Sequence, residues 1–509
     1  MPGREVVVLG GGPAGLTAAR ILKLRQPTWD VTVVERQPPD ATFGYGVGLS
    51  FSSLNRLRAA DPELTAAIES ASVSVGTWTV RRDGESFSAK NSHGLGIGRP
   101  ALLAILQRHA AAAGARVRMG EHARLTDVSG ADVVLAADGV ASETRTALSA
   151  ELGASVSHGE LAYLWCGVPL SRTEMTLALT RTADGPLAAH VMPYAPGACA
   201  FQVDGHQDTI RALGMPPAGP ADSTALLQDA FADLLGGASL QVKRREWATF
   251  PTVTCARWHA GNVALLGDAA HTAHYTVGFG TALAVEDAVE LAEALAAGGT
   301  APPAGAFEAF EAARRPTVAR LQRRADRSQR WWATLGTRFD LPLPVLLLSY
   351  LTRTGAITLP AAAAQNAELV ARCLEPAGKP NAVPGTDLAA AILARPFGVN
   401  GSRVPDRLFR AGTLPDTAVA TIVHDSGRPT LGQMRDAVER GRHWAARSVS
   451  HIRLAGPPDR EAVLDRLELA EGLRQQAGVT TIVAGPAEFR DDLALGVLCG
   501  RTDLADITL

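Results

Sequence analysis

The chain opens on an unbroken apolar run, Val6-Val7-Val8-Leu9, which stops at Gly10-Gly11-Gly12. Apolar positions then recur at helical spacing over 16–24, and a second mainly apolar run, Val31-Thr32-Val33-Val34, follows. Runs without polar alternation predict strands buried on both faces, as a parallel sheet requires. The first forty residues therefore predict one βαβ unit. Buried strands are predicted again at 132–137 and 263–266, the latter leading into a helix over 281–295. A further helix over 101–113 follows Arg99-Pro100, since proline suits the first helical turn.

Between 161 and 250 the pattern changes to strand-like alternation, as at 198–203, and predicts a mostly β domain. An Arg-rich helical region covers 304–332, and a Pro/Ala/Gly-rich stretch at 374–385 reads as a linker. The organisation expected is α/β. A Rossmann-type domain is built from 1–160 and 251–300, with a β-sheet substrate domain of 161–250 inserted in it. A helical region of 301–375 and a small C-terminal α/β domain of 386–509 complete the chain.

Bulk composition narrows the field without redirecting it. A length of 509 residues implies more than one core. A net charge of −2 gives no reason to expect nucleic acid or an anionic membrane surface as partner. The five scattered cysteines lack metal-ligand spacing and read as reduced thiols of a cytoplasmic protein. The N-terminal apolar run is too short for a signal peptide. The run at 341–351 carries two prolines, is too short to cross a bilayer, and predicts a buried helix.

Three motifs carry chemistry. The first is Gly10-Gly11-Gly12-Pro13-Ala14-Gly15, a Gly-x-Gly-x-x-Gly between strand and helix, with Glu35 twenty residues beyond Gly15 at the end of the second strand. The glycines allow a tight turn and close approach of backbone to a pyrophosphate, and the acid can hold ribose hydroxyls. The second is Asp138-Gly139 after a buried strand, followed by Ser142 and Arg145, which a plain turn does not need. The third is Gly267-Asp268-Ala269-Ala270-His271, then Gly278-Phe279-Gly280 before a helix carrying Glu286-Asp287. It sets a carboxylate at a strand's carboxyl end, and backbone amides where they can face an acceptor. His271 by itself reads as structural.

These three signatures, in this order, resemble the single-component FAD aromatic hydroxylases related to p-hydroxybenzoate hydroxylase, over about residues 1–330. The resemblance implies a glutathione-reductase-type FAD domain. It assigns Glu35, with Arg36 beside it, to the adenosine end of FAD, Asp268 to the ribityl chain, and Arg99 to the flavin. Asp138 and Gly139 would support pyrophosphate and NAD(P)H binding. Glu-Ala-Ala-Arg-Arg-Pro at 311–316 is similar to the element closing the family's catalytic core. A narrower resemblance, to the salicylyl-CoA and anthraniloyl-CoA hydroxylases, rests on Phe43-Gly44-Tyr45-Gly46-Val47-Gly48, on the segments 57–62 and 93–99, and on His271-Thr272-Ala273-His274-Tyr275. It places Gly46 and Val47 on a mobile flavin loop. Tyr275 stands where the wider family has proline, and Ala282 departs from a position often polar in relatives.

By this resemblance the hard chemistry is borne by the flavin, and no side chain need be catalytic. The cofactors implied are FAD and NAD(P)H, and the partners are dioxygen and a small aromatic substrate, with neither nucleic acid nor membrane. The substrate implied is an aryl CoA thioester. A free aromatic acid, phenol, indole or carrier-bound aryl group is the alternative. His93, Tyr194, His274 and Tyr275 are the substrate-pocket candidates, and no metal site is expected. A flavin reductase and a flavin-binding scaffold stand as alternatives of other classes. In the C-terminal piece, Arg395-Pro396-Phe397 with Arg407, and the segments 480–485 and 500–504, resemble the beginning and end of an old-yellow-enzyme barrel. A whole barrel needs about 250 residues, so a shortened, non-catalytic remnant is expected, packing on the hydroxylase or mediating a homodimer. A thioredoxin-like domain is the rival, without the Cys-x-x-Cys of redox work.

Overall fold

The computed structural model describes residues 3–39, 44–50, 54–215, 223–243, 247–375, 387–399, 402–410, 419–424, 429, 431–447 and 449–508. Phe43 of the glycine-rich loop, the side chain of His93 and residues 376–385 of the expected linker lie outside the described residues. The chain divides into two compact units, Met1–Gly336 and Thr337–Leu509.

In the first unit the βαβ unit forms from Glu5–Leu9, Pro13–Arg25 and Asp30–Glu35. Its strands sit within a six-stranded sheet in the order His259–Ala260, Val263–Leu265, Val133–Ala136, Glu5–Leu9, Asp30–Glu35, Arg116–Met119. All neighbours are parallel except the short first pair. Val6, Val8, Val133 to Ala136 and Leu265 are fully buried, so the unbroken apolar runs mark strands covered on both faces. The helices Pro13–Arg25 and Gly280–Gly298 pack side by side.

The second sheet has eight strands, in the order Ala248–Cys255, Ala154–Val168, Ala198–His206, Gly185–Ala195, Glu174–Thr182, Val73–Arg82, Glu85–Gly98, Gly46–Ser50. It is broader than the 161–250 expected, because three strands join from the region before residue 100. Their union depends on parallel pairing of Val73–Arg82 with Glu174–Thr182, a contact between distant segments that no local pattern announces. One face, with Leu164, Cys166, Phe201 and Val203, packs on Ile210, Leu227 and Phe231. In-register pairing puts Tyr163, Asp204, Gln202 and His190 together on the other face.

The helix Ala304–Ala333 completes this unit. The helical region expected over 301–375 is therefore not one body, for Leu343–Thr352, Leu359–Gln365 and Ala367–Leu374 belong to the second unit. There the apolar run at 341–351 forms a helix with Leu346, Leu347 and Leu348 buried. Four parallel strands follow in chain order, Val419–Val423, His451–Ala455, Thr480–Pro486 and Leu504–Thr508. Helices Leu431–Ala445, Arg460–Ala477 and Arg490–Leu498 alternate with them. Each strand lies beside its successor, the winding of a βα barrel and not of a sheet with a reversal point. Arg407 stacks 4.0 Å from the Phe397 ring centroid and donates to the Asp503 carbonyl, joining the two ends of this piece. No helix among the described residues is long and apolar enough to cross a membrane.

Candidate active site

The glycine turn is built for close approach. Gly10 has φ +109°, and a Cβ there would fall 2.2 Å from the Ala137 carbonyl oxygen. A Cβ at Gly15 would fall 2.0 Å from the Gly10 carbonyl oxygen, so that glycine serves the packing of Pro13–Arg25 with buried Ala14 beside it. Gly12 is different: nothing lies within 4 Å of its Cβ position, and the same holds at Gly139, Gly278 and Gly280. The helices beginning at Pro13 and Gly280 have no side-chain cap and no acid in the first turn. Gly267 ties them together, its Cβ position 3.2 Å from Ala14 and 3.3 Å from Ala284. Two neighbouring helix N-termini thus keep their N–H donors and positive dipole ends for an anion.

Acids surround this cradle. Glu35 closes its strand with Oε2 accepting from the Gly11 N–H at 2.6 Å and Oε1 from the Gln37 N–H at 2.8 Å. Arg36 beside it is exposed. Asp138 Oδ2 accepts from the N–H and Oγ1 of Thr144, while Oδ1 is buried with no partner among the described residues. Buried Arg145 donates to the carbonyls of Val140 at 2.6 Å and Ala269 at 2.9 Å. It thereby bolts the Asp138-Gly139 turn to the Gly267-Asp268 turn, and Ser142 Oγ caps its helix by accepting from the Arg145 N–H.

Asp268 is exposed at its own surface yet set deep in the unit, as a residue lining a cleft is. Burial raises its pKa, and His271, Arg99 and Arg145 oppose the rise. Arg99 opens its helix across the cleft, its pKa lowered by burial and supported by Asp268 and Tyr163. Beneath the turn, His271 Nε2 lies 2.8 Å from Asp287 Oδ2, which also accepts from the Gly267 N–H. Arg314 Nε donates to the other Asp287 oxygen at 2.9 Å. This fully buried ion cluster fixes the turn from below. His271 packs against Trp258 there, its ring centroid 4.7 Å away.

The opposite wall is the polar face of the eight-stranded sheet. Tyr275 Oη donates to Asp204 Oδ1 at 2.6 Å, Gln202 Nε2 donates to the same oxygen at 3.1 Å, and His190 Nε2 lies 2.8 Å from Oδ2. The Tyr275 ring sits 4.7 Å from that of Tyr163 and 4.3 Å from that of His274, and Phe250 meets both His274 and Tyr275 edge-on. Burial drives the Tyr275 pKa well up and the His274 pKa down to about 4. Two of the pocket candidates, His274 and Tyr275, are therefore brought together. Tyr194 lies elsewhere on this sheet, filling the space above Gly46, whose Cβ position is 2.4 Å from the Tyr194 Cβ. Gly46 and half-buried Val47 pair with Gly98 and Ile97, and the Arg99 N–H donates to the Tyr45 carbonyl, so the glycine strand is joined to Arg99. His93 lies on the strand Glu85–Gly98.

Sequence reasoning missed Asp204, His190, Gln202 and Phe250. A signal existed for two of them: in Ala198–His206, Gln202 and Asp204 fall on alternate positions, which puts polar groups on one face. The open glycines, the uncapped helix N-termini and the orphaned Asp138 oxygen fit the pyrophosphate and sugar hydroxyls of a dinucleotide, with a cleft at Asp268 and Arg99 for the ring beyond them.

Comparison with known proteins gives the same outline. A family model described as an FAD binding domain matches residues 4–325. The chain is 36% identical over 355 residues to a 3-hydroxy-4-methyl-anthranilyl-(aryl-carrier protein) 5-monooxygenase of Streptosporangium sibiricum, covering 70% of this chain and 95% of that one. It is 31% identical over 538 aligned positions to a salicyloyl-CoA 5-hydroxylase of a Streptomyces species, covering 98% of this chain and 99% of that one. Among solved structures, 2-methyl-3-hydroxypyridine-5-carboxylic acid oxygenase superposes with a TM-score of 0.53 at 20% identity, covering 72% of this chain and 96% of that one. That likeness shows the fold.

Proposed function

This chain belongs to the FAD-binding-domain family and is a flavin-dependent aromatic monooxygenase, and we propose that the ring it hydroxylates is presented as an aroyl thioester, with CoA as the carrier. The observation that carries the thioester reading is the end-to-end match to a salicyloyl-CoA hydroxylase, which includes the second unit as well as the FAD-binding one. The carrier-protein relative shares the aroyl thioester, so the two readings differ only in what holds the sulfur.

When bound, FAD supplies reduction by NAD(P)H and activation of dioxygen. The chain's own residues bind, orient and seal. The helix N-termini at Pro13 and Gly280 would hold the pyrophosphate, Glu35 the adenosine ribose, and Asp268 and Arg99 the flavin end. Asp287 and Arg145 keep the Gly267-Asp268 turn in place. The rings of Tyr163, Phe250, His274 and Tyr275 form an aromatic wall that takes a flat ring and excludes water from it. No side chain acts as nucleophile. The second unit we read as a shortened barrel remnant with a structural role; its singly wound strand order and the Arg407 contact to Asp503 support this.

The test is NAD(P)H oxidation by the purified flavoprotein with 2-hydroxybenzoyl-CoA, 2-aminobenzoyl-CoA, the same acyl groups on a carrier protein, and the free acids. Stimulation by the CoA esters, with a product gaining one oxygen atom, is expected. Hydroxylation of the free acids or of the carrier-bound groups alone would overturn the CoA reading and leave the monooxygenase intact.

A further inference from the structure

The two adjacent residues His274 and Tyr275 have their hydrogen-bonding polarity fixed by neighbours. Tyr275 has one proton, and it goes to Asp204 Oδ1 at 2.6 Å. Asp204, 1% exposed and also contacted by Gln202 and His190, can as a carboxylate only accept. Once its proton is given to Asp204, Tyr275 Oη can only accept from any further partner. His274 is the reverse case. Its Nδ1 lies 3.1 Å from Thr276 Oγ1 and 3.5 Å from the Thr276 backbone nitrogen, whose N–H can only donate. The ring proton therefore belongs on Nε2. That Nε2 is buried and has no partner among the described residues. Burial also holds the His274 pKa at about 4, which keeps the ring neutral at ordinary pH. The charge that acts on both residues is Asp204, with His190 beside it on the sheet, and the helix Ala304–Ala333 packs on the Tyr275–Val277 turn from the other side.

We propose that His274 and Tyr275 are specificity-determining residues that read the substrate by this fixed polarity: His274 Nε2–H donates to the acyl carbonyl, and Tyr275 Oη accepts from a ring substituent beside it. Asp204 and Thr276 act as positioning residues. The group that satisfies both is an aroyl carbonyl with a neighbouring ring hydroxyl or amino group. The same ring with an ether, or with nothing, leaves a buried polar group unpaired, which a site of this kind penalises strongly. The proposal rests on the aroyl-thioester reading for its substrate but makes a separate claim about polarity.

The experiment measures dissociation constants on the FAD-loaded enzyme, from the change in flavin absorption on adding 2-hydroxybenzoyl-CoA, 2-methoxybenzoyl-CoA or benzoyl-CoA. Wild-type enzyme is expected to bind the hydroxy ester about tenfold or more tighter than the methoxy ester. Tyr275→Phe should bring the two within about threefold and also erase the preference for the hydroxy ester over benzoyl-CoA, which relief of a clash with the methyl group would not do. Asp204→Asn should shift the ratio further, toward the methoxy ester, because the Asn amide can donate to Tyr275 and free its proton for the ligand. His274→Phe should weaken all three esters alike. A wild-type ratio within twofold overturns the proposal, as does a wild-type ratio that survives in Tyr275→Phe; if Asp204→Asn loses FAD, Tyr275→Phe decides alone. If no CoA ester binds while 2-hydroxy- and 2-methoxybenzamide show the expected ratio, the polarity stands and the thioester reading falls.

Discussion

At the carboxyl ends of Glu5–Leu9 and Val263–Leu265, the helices that follow begin behind Gly12 and Phe279, without a side-chain cap and without an acid in the first turn. At the carboxyl end of His451–Ala455, the helix Arg460–Ala477 begins behind Asp459, whose carboxylate accepts from the Ala462 N–H at 3.0 Å. The next helix, Arg490–Leu498, carries Asp491 and Asp492 in its first turn, and Asp492 pairs with Arg460 at 2.7 Å. Both units are parallel α/β structures obeying the same strand and helix rules. At these strand ends the first unit leaves two helix N-termini without cap or acid, whereas the second sets acids of its own chain at both. An uncapped terminus costs stability unless something binds there, and in the first unit nothing among the described residues lies within 4 Å of the Cβ positions of Gly12, Gly139, Gly278 and Gly280.

The comparison can be broken or sharpened at several points. The largest effect is expected at the cluster beneath the Gly267-Asp268 turn. Asp287→Ala removes the carboxylate that Arg314 Nε and His271 share, leaves Arg314 only its pairing with Glu286 at 2.7 Å, and should cost about 3 kcal/mol in denaturant unfolding, with loss of FAD. Burial alone would raise the Asp287 pKa, but His271 and Arg314 hold it below the ordinary value. Its contribution is thus complete above the ordinary carboxylate range and is lost as pH falls through the lower folded value. Next comes Gly12→Val, which should weaken FAD binding about 100-fold while leaving apoprotein stability within about 1 kcal/mol, since Gly12 is extended and meets nothing. An equal loss of stability would mean the glycine is there for packing.

A smaller effect is tied to pH. His274 stays neutral in the folded state down to about 4, whereas an unfolded histidine gains its proton near 6.5. Between those values the unfolded state binds more protons, so stability falls with falling pH, by about 1.4 kcal/mol per unit from this residue. Thermal unfolding of His274→Phe at pH 7 and pH 5 should show a shallower decline than wild type; equal slopes would place the histidine's proton elsewhere. Smallest of all, Asp459→Ala should cost about 1 kcal/mol, the worth of an N-cap, and leave FAD affinity untouched.

The contrast between the units also explains what could be read from the sequence. Val6 to Leu9, the glycine turn and Glu35 form one local pattern, because strand, turn, helix and strand follow one another along the chain. Asp138 and Asp268 were legible for the same reason, each following its own buried strand. The sheet that makes the opposite wall was not, since Val73–Arg82 pairs with a strand a hundred residues away. Asp204 and His190 meet only through the register of Gly185–Ala195 with Ala198–His206, and Tyr275 reaches Asp204 from a different segment again. Gly46 is roofed by Tyr194, a contact between two strands that spacing alone does not reveal.

The most direct test of the whole account is a reaction of the reduced holoenzyme with 2-hydroxybenzoyl-CoA under isotopically heavy dioxygen, followed by mass analysis of the product. One heavy oxygen atom on the ring, with the thioester intact, is the result expected of a monooxygenase that takes its substrate as an aroyl thioester. Reduced cofactor consumed and peroxide released, with no labelled ring product from any aroyl thioester, would contradict it.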